Sequence, residues 1–196
     1  MDEIVKQAMA KWPDVPHCYG WLALDARGNW RLRDDACQRA GGPGDKLTNP
    51  TLVGFINRNY LRDERGCWYF QNGPQRVYVN LEATPFVART SPEERFLLQT
   101  GEPMPFPRRA FMTDKGELIL QGGHEAAQVD DRDVAQLLAS IELDGAHPDD
   151  EHLMAWLEGA DSHRGTLQVG DHRIPLERIA AAEVPRFFGF VRIPAP

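Results

Sequence analysis

Apolar and polar positions along the chain switch between two periods, and the switches divide it into short elements. Ile4, Val5, Ala8 and Met9 fall at helical spacing before Pro13 and Pro16 force an extended path, which predicts a lead-in helix over Glu3 to Lys11. Tyr19, Trp21 and Ala23 then alternate with Gly20, Leu22 and Leu24. A turn at Asp25 to Asn29 and a second alternating run at Trp30 to Leu32 complete a β-hairpin. After Gly41-Gly42-Pro43-Gly44, Asn49 caps a helix that starts at Pro50 and shows Leu52, Val53, Ile56 and Tyr60 on one face. Asp63 to Gly66 leads into Cys67-Trp68-Tyr69-Phe70, Asn72-Gly73 marks a tight turn, and Arg76 to Leu81 alternates again, which predicts a second hairpin.

The second half is cut in the same way. Ser91 could cap a helix, but Phe96 to Thr100 before Gly101 is read as a strand, and Pro103 to Pro107 as an extended connector. Asp114-Lys115-Gly116 turns into a strand at Leu118 to Leu120. A helix from about Arg132 to Ile141, capped by Asp130 or Asp131, presents Val134, Leu137, Leu138 and Ile141, and another runs from Pro148 to Glu158. Strands are predicted at Thr166 to Val169, His172 to Leu176 and Phe187 to Ile193, with a short helix around Glu177 to Ala182. The fold class is α+β, with two small subdomains of antiparallel strands, each packed with a helix, divided as residues 1–102 and 103–196.

Three turns share an acid, a glycine and a large apolar residue: Asp25-x-x-Gly28-x-Trp30, Asp63-x-x-Gly66-x-Trp68 and Asp114-x-Gly116-x-Leu118. The first and third precede a helix that itself precedes another hairpin, so a unit of hairpin, helix and hairpin can be read twice. Turns of this kind are common, and chance recurrence accounts for them as well as duplication does.

Composition narrows the function classes. Acidic residues outnumber basic ones by 29 to 22, a net charge of −7 spread along the chain, which disfavours a nucleic-acid partner. No apolar run approaches the roughly 20 residues that span a bilayer, and Met1-Asp2-Glu3 lacks the basic flank of a secretory signal. Cys18, Cys37 and Cys67 are odd in number and have no Cys-x-x-Cys spacing, so the expected compartment is the reducing cytoplasm. No nucleotide-binding glycine loop is present, since Gly41 to Gly44 lacks the Lys-Ser/Thr ending, and no cofactor is expected.

From Tyr19 to about Leu138 the chain resembles an uncharacterised bacterial family of unknown function built from two small α+β subdomains. The resemblance is carried by Gly28-x-Trp30, the apolar helix around Leu52 to Phe55, Asp63-x-x-Gly66-x-Trp68-Tyr69-Phe70, and Val77-x-Val79 with Pro85-Phe86-Val87. Further on it is carried by Phe96-x-x-x-Thr100-Gly101-Glu102 and Leu118-x-Leu120-x-Gly122-Gly123-x-Glu125-Ala126. It implies a two-subdomain fold with parts like modules used in binding or signalling, and brings no catalytic residues with it. The residues after Leu138 depart from that pattern.

Candidate chemistry is sparse. Ala146-His147-Pro148-Asp149-Asp150-Glu151 is similar to the signature of zinc-dependent sugar N-deacetylases, which would make His147 and Asp150 metal ligands and Asp149 the base for amide hydrolysis. The same residues suit a helix start, with the acids at its positive end, and too little chain follows to build that superfamily's domain. His17 and Cys18 are adjacent in a strand, so they face opposite ways and make no dyad. His124-Glu125 reads as a loop pair. Trp30, Trp68 and Tyr69 line a ligand groove or fill the core, two readings the pattern leaves level. The expected function is a non-enzymatic binding or regulatory module for a small molecule or a protein, with the zinc hydrolase as alternative. A third role is assembly of copies of the chain through a strand at Phe187 to Phe190.

Overall fold

In the computed structural model, which describes every residue except Glu94, His124, Ala160 and Asp161, the chain divides into two units, residues 1–85 with 189–196, and residues 86–188. The first unit contains α1 (Glu3–Lys11), β1 (Cys18–Leu24), β2 (Trp30–Leu32), α2 (Asp35–Ala40), β3 (Asp45–Lys46), α3 (Pro50–Arg58), β4 (Tyr60–Arg62), β5 (Trp68–Asn72) and β6 (Gln75–Leu81). Its strands lie in the order β3-β2-β1-β6-β5-β4, with β1 and β6 parallel and the other neighbours antiparallel. Asn49 caps α3 by accepting from the Thr51 and Leu52 N–H groups, and Pro50 sits where a missing N–H costs nothing. The helix buries Ile56 and sets Phe55 edge-on against Phe70, ring centroids 5.4 Å apart.

The second unit contains β7 (Phe86–Ser91), β8 (Arg95–Leu98), β9 (Arg109–Thr113), β10 (Leu118–Gly122), β11 (Glu125–Val129), α4 (Asp131–Leu138), β12 (Ile141–Leu143), α5 (Asp150–Leu157), β13 (Gly165–Val169), β14 (His172–Ile179) and α6 (Val184–Phe188). The order is β12-β13-β14-β9-β10-β11-β7-β8, with β14 parallel to β9 and β11 parallel to β7. Leu118, Ile119 and Leu120 on β10 are all fully buried, so this central strand is covered on both faces and is apolar without alternation.

The two sheets contain the same topological unit. Read from β4, the first runs β4-β5-β6-β1-β2-β3; the second begins β12-β13-β14-β9-β10-β11, and in each a helix, α3 or α4, joins the two strand triplets. The third strand of the later triplet pairs parallel with the first strand of the earlier one in both, β6 with β1 and β14 with β9. The corners agree in their bonds. Asp25 N–H donates to Asn29 O and Gly28 N–H to Asp25 O; Asp63 pairs likewise with Cys67 and Gly66, and Thr113 with Glu117 and Gly116. The side-chain oxygens of Asp25, Asp63 and Thr113 each accept from the residue four places on. A fourth corner, between β12 and β13, is closed by the same bonds between Asp144 and Arg164, but residues 145–163, including α5, stand between them. The repeated turns in the sequence therefore mark a structural duplication, with the third copy anchored on Thr113 rather than Asp114.

Several expectations are corrected. The division falls after Pro85 rather than after residue 102, because β7 pairs with β11 and carries β8 with it. The last residues return to the first unit, where Leu81 N–H donates to Arg192 O and Val191 N–H to Gly66 O. Residues 184–188 are helical, not a strand: Phe187 N–H reaches back to Glu183 O and Gly189, at φ +68°, ends the turn. Residues 177–179 continue β14 instead of forming a helix, and Ile141 and Tyr60 open β12 and β4 rather than closing the helices before them. Pro148 precedes α5, whose cap is Asp149. Helix α2 was not anticipated; Asp34 caps it through the Cys37 N–H. The strand at β8 agrees with the sequence reading, while the alternative cap region reaches Glu94, which lies outside the described residues.

Candidate functional site

On the sheet of the first unit, Leu61, Tyr69 and Tyr78 stand in register across β4, β5 and β6 and so form one row on one face. The β1–β6 pairing slips between Cys18 and Leu22, and this irregularity lays Tyr19 flat on Tyr78, centroids 4.6 Å apart and planes within 4°. His17 meets Tyr78 edge-on at 5.7 Å. Tyr69 and Tyr78 are nearly buried, with Cys67 beneath them. A cavity of about 620 Å³ lies over these rings, walled also by Arg62, Asp63, Glu64, Arg65 and Arg76.

Two guanidinium groups rest on the aromatic faces. Arg65 lies 5.5 Å from the centre of the Tyr78 ring and Arg76 4.7 Å from that of Tyr69. The corner after β4 aims Arg65: Asp63 Oδ1 accepts its backbone N–H at 3.0 Å and Oδ2 its Nε at 3.2 Å, while its terminal nitrogens donate to Ala195 O at 3.2 Å and Tyr19 Oη at 3.4 Å. Tyr78 Oη donates to Asp63 Oδ2 at 3.0 Å. Burial works to raise the Asp63 carboxyl, but the bonds from Cys67, Tyr78 and Arg65 outweigh it and hold the group below the usual carboxylate range. Burial pushes the Tyr78 hydroxyl up, and its bonds to Tyr19 and Tyr78 help keep Arg65 charged.

The cavity wall is cationic on an acidic protein. Arg62, Arg65 and Arg76 face Asp63 and Glu64, and among the described residues neither Arg62 nor Arg76 has a carboxylate partner; Arg62 donates to the Gly189 carbonyl. Guanidinium forks match carboxylate and phosphate in geometry, and two of those on this wall are held against ring faces. The Cys67 thiol is pushed up by burial and by Asp63, which leaves it protonated rather than nucleophilic.

Of the aromatic residues singled out by sequence, only Tyr69 lines this cavity. Trp30 is 2% exposed, meets Tyr60 edge-on at 5.1 Å and donates its Nε1–H to Asn57 Oδ1 at 2.7 Å, so it is a core residue. Trp68 packs against Tyr60 at 4.8 Å, on the opposite face from Tyr69. The three are not brought together. The arginines carry the cavity instead; their signal was the interleaving of Arg62, Arg65 and Arg76 with Tyr69 and Tyr78.

The segment similar to the deacetylase signature is engaged locally. His147 Nδ1 is 2.9 Å from Ile141 O, Asp149 caps α5 through the His152 N–H and contacts His152 Nδ1 at 2.7 Å, and Asp150 lies in the first turn of α5. Among the described residues no three His, Cys, Asp or Glu side chains are grouped as metal ligands. Burial raises the Glu125 carboxyl, but its sequence neighbour His124 lies outside the described residues. Phe187 and Phe188 pack edge-on against Phe111, each at 5.2 Å. Among the described residues no helix is long and apolar enough to cross a membrane.

Residues 1–195 match the model of the family described as "Protein of unknown function (DUF2946)". The chain belongs to that family. In solved structures it is similar to a DUF1285 family protein from Silicibacter pomeroyi, with 13% identity, 95% of this chain and 100% of the other covered, and a TM-score of 0.50. A DUF1285 family protein from Shewanella baltica matches 57% of this chain and 85% of its own, with 11% identity and a TM-score of 0.38. No curated protein matches. The Silicibacter likeness extends to the fold of the whole chain, two α+β units, and stops there.

Proposed function

We propose that this chain is a cytoplasmic, non-enzymatic binding or regulatory module that takes a small anionic molecule, by a carboxylate or phosphate group, in the tyrosine and arginine cavity of its first unit. The observation that carries this reading is the pair of guanidiniums laid on aromatic faces over one cavity, Arg65 on Tyr78 and Arg76 on Tyr69, in a chain of net charge −7. Arginines positioned in this way lose little freedom when an anion binds, so preorganisation adds to affinity. Three free thiols, at Cys18, Cys37 and Cys67, accord with a reducing compartment. The test is calorimetric titration of the full chain with inorganic phosphate and with citrate at low ionic strength. Saturable binding is expected, weakened about tenfold or more by Arg76→Gln and by added salt. Absence of saturation with both anions, or binding indifferent to Arg76→Gln in a variant with unchanged circular dichroism, overturns the reading.

A further inference from the structure

The duplication sets a second cavity where the first one lies. Strands β12, β13 and β14 and the Asp144 corner line a space of about 510 Å³ in the second unit. Strand register carries one wall onto the other: Asp63 falls on Asp144, Leu61 on Glu142, Tyr69 on Thr166 and Arg76 on Arg173. The retained elements are the corner aspartate and the arginine of the last strand. The aromatic row is gone, and a carboxylate stands in the place of an aliphatic side chain.

That carboxylate is half satisfied. Glu142 Oε1 accepts from Arg173 Nη2 at 3.1 Å, whereas Oε2 is buried and has no hydrogen-bond partner among the described residues. A buried oxygen in that state is costly, and a donor brought by a ligand would relieve it. Arg173, which holds the other oxygen, has a side chain 63% exposed, and an ion pair at such a position opens at little cost. The same cavity is lined by Arg164, whose backbone N–H is fixed by Asp144 Oδ1 at 2.9 Å and whose guanidinium has no carboxylate partner among the described residues. Glu142 and Asp144 balance Arg164 and Arg173, so the wall is neutral but divided. A simple anion meets the two acids, and a simple amine meets the two arginines.

We propose that this cavity binds a zwitterionic amino acid, its ammonium group donating to Glu142 Oε2 and its carboxylate accepting from Arg164. The site is distinct from the anion cavity of the first unit and does not depend on it. Glycine, L-serine and L-glutamate are titrated calorimetrically into the full chain, with acetate and methylammonium as half-ligands and inorganic phosphate in parallel as a separate reading of the first unit. At least one amino acid should saturate while neither half-ligand does, and Glu142→Gln and Arg164→Gln should each weaken it about tenfold or more. The proposal is overturned if none of the three saturates, if a half-ligand binds as tightly as the amino acid, or if Arg164→Gln, at an exposed position and with circular dichroism unchanged, leaves the affinity unchanged.

Discussion

Tyr78 on β6 donates its hydroxyl to Asp63 at the corner between β4 and β5, 3.0 Å away, and the same carboxylate closes that corner on Cys67 and holds Arg65. One side chain thus ties three strands and sets one wall of the tyrosine and arginine cavity. Tyr78→Phe should cost about 1 kcal/mol at neutral pH, the usual net value of such a bond. It should also let the Asp63 carboxyl rise toward its ordinary range. Because that group is depressed in the folded state, its contribution is present above its unfolded pKa and is lost as pH falls, so the variant should lose less stability on acidification than the parent. Urea unfolding at pH 7 and at low pH reads both effects, and identical acid sensitivity would show that Tyr78 does not act through Asp63.

Gly66 and Gly116 occupy equivalent turn positions, at φ +81° and +77°, yet they differ in surroundings. A Cβ on Gly66 would overlap the Gly189 carbonyl, whereas one on Gly116 meets nothing within 4 Å. Gly116→Ala should therefore cost only the left-handed strain, about 1 kcal/mol, while Gly66→Ala should cost about 3 kcal/mol, since the C-terminal segment must also shift. Thermal melts of the two variants give the comparison, and equal losses would remove the docked C-terminus from the account of stability.

Asp130 is fully buried at the start of α4, where Arg132 and Arg89 reach it and the Arg132 N–H caps on its Oδ1. The bond from Arg132, chiefly, holds its carboxyl down at about 2. Asn caps a helix about as well as Asp, so Asp130→Asn isolates the charge. The loss should be about 2 kcal/mol at pH 7, about half of that by pH 3, and nothing near pH 1, where the parent is protonated too. Unfolding free energies at pH 7 and pH 3 test this; a loss that did not shrink with acid would point to packing rather than charge.

Much of the fold was legible because its signals are local. Asn49-Pro50 announced α3, and the Asp-to-Gly corners announced the hairpins, while leaving duplication and chance recurrence level until the strand order separated them. The parallel pairings of β1 with β6 and β9 with β14 were not, since they join segments far apart in sequence through register alone. The run Phe187-Phe188-Gly189-Phe190 is too short to distinguish a helical turn from a strand, and the turn shows only in the bond from Phe187 N–H to Glu183 O and the left-handed Gly189 that ends it. At the site, aromatic residues drew attention by size. Trp30 proved to be core because its Nε1–H finds Asn57, a partner 27 residues away, while Arg65 and Arg76 gained their meaning only from the rings beneath them.

The corner between Asp144 and Arg164 keeps two of the bonds that close its three-residue counterparts, although residues 145–163 intervene in sequence. The register of a strand pair closed in this way is set at the corner itself, while the segment beyond it touches the sheet through Trp156, which lies over Gly165. The loop beyond the corner can thus change in length without altering how β12 pairs with β13, provided that Trp156, which is 2% exposed and whose carbonyl accepts from Arg178 on β14, keeps its seat. New chemistry can be grafted above the second cavity while the scaffold below it stays fixed.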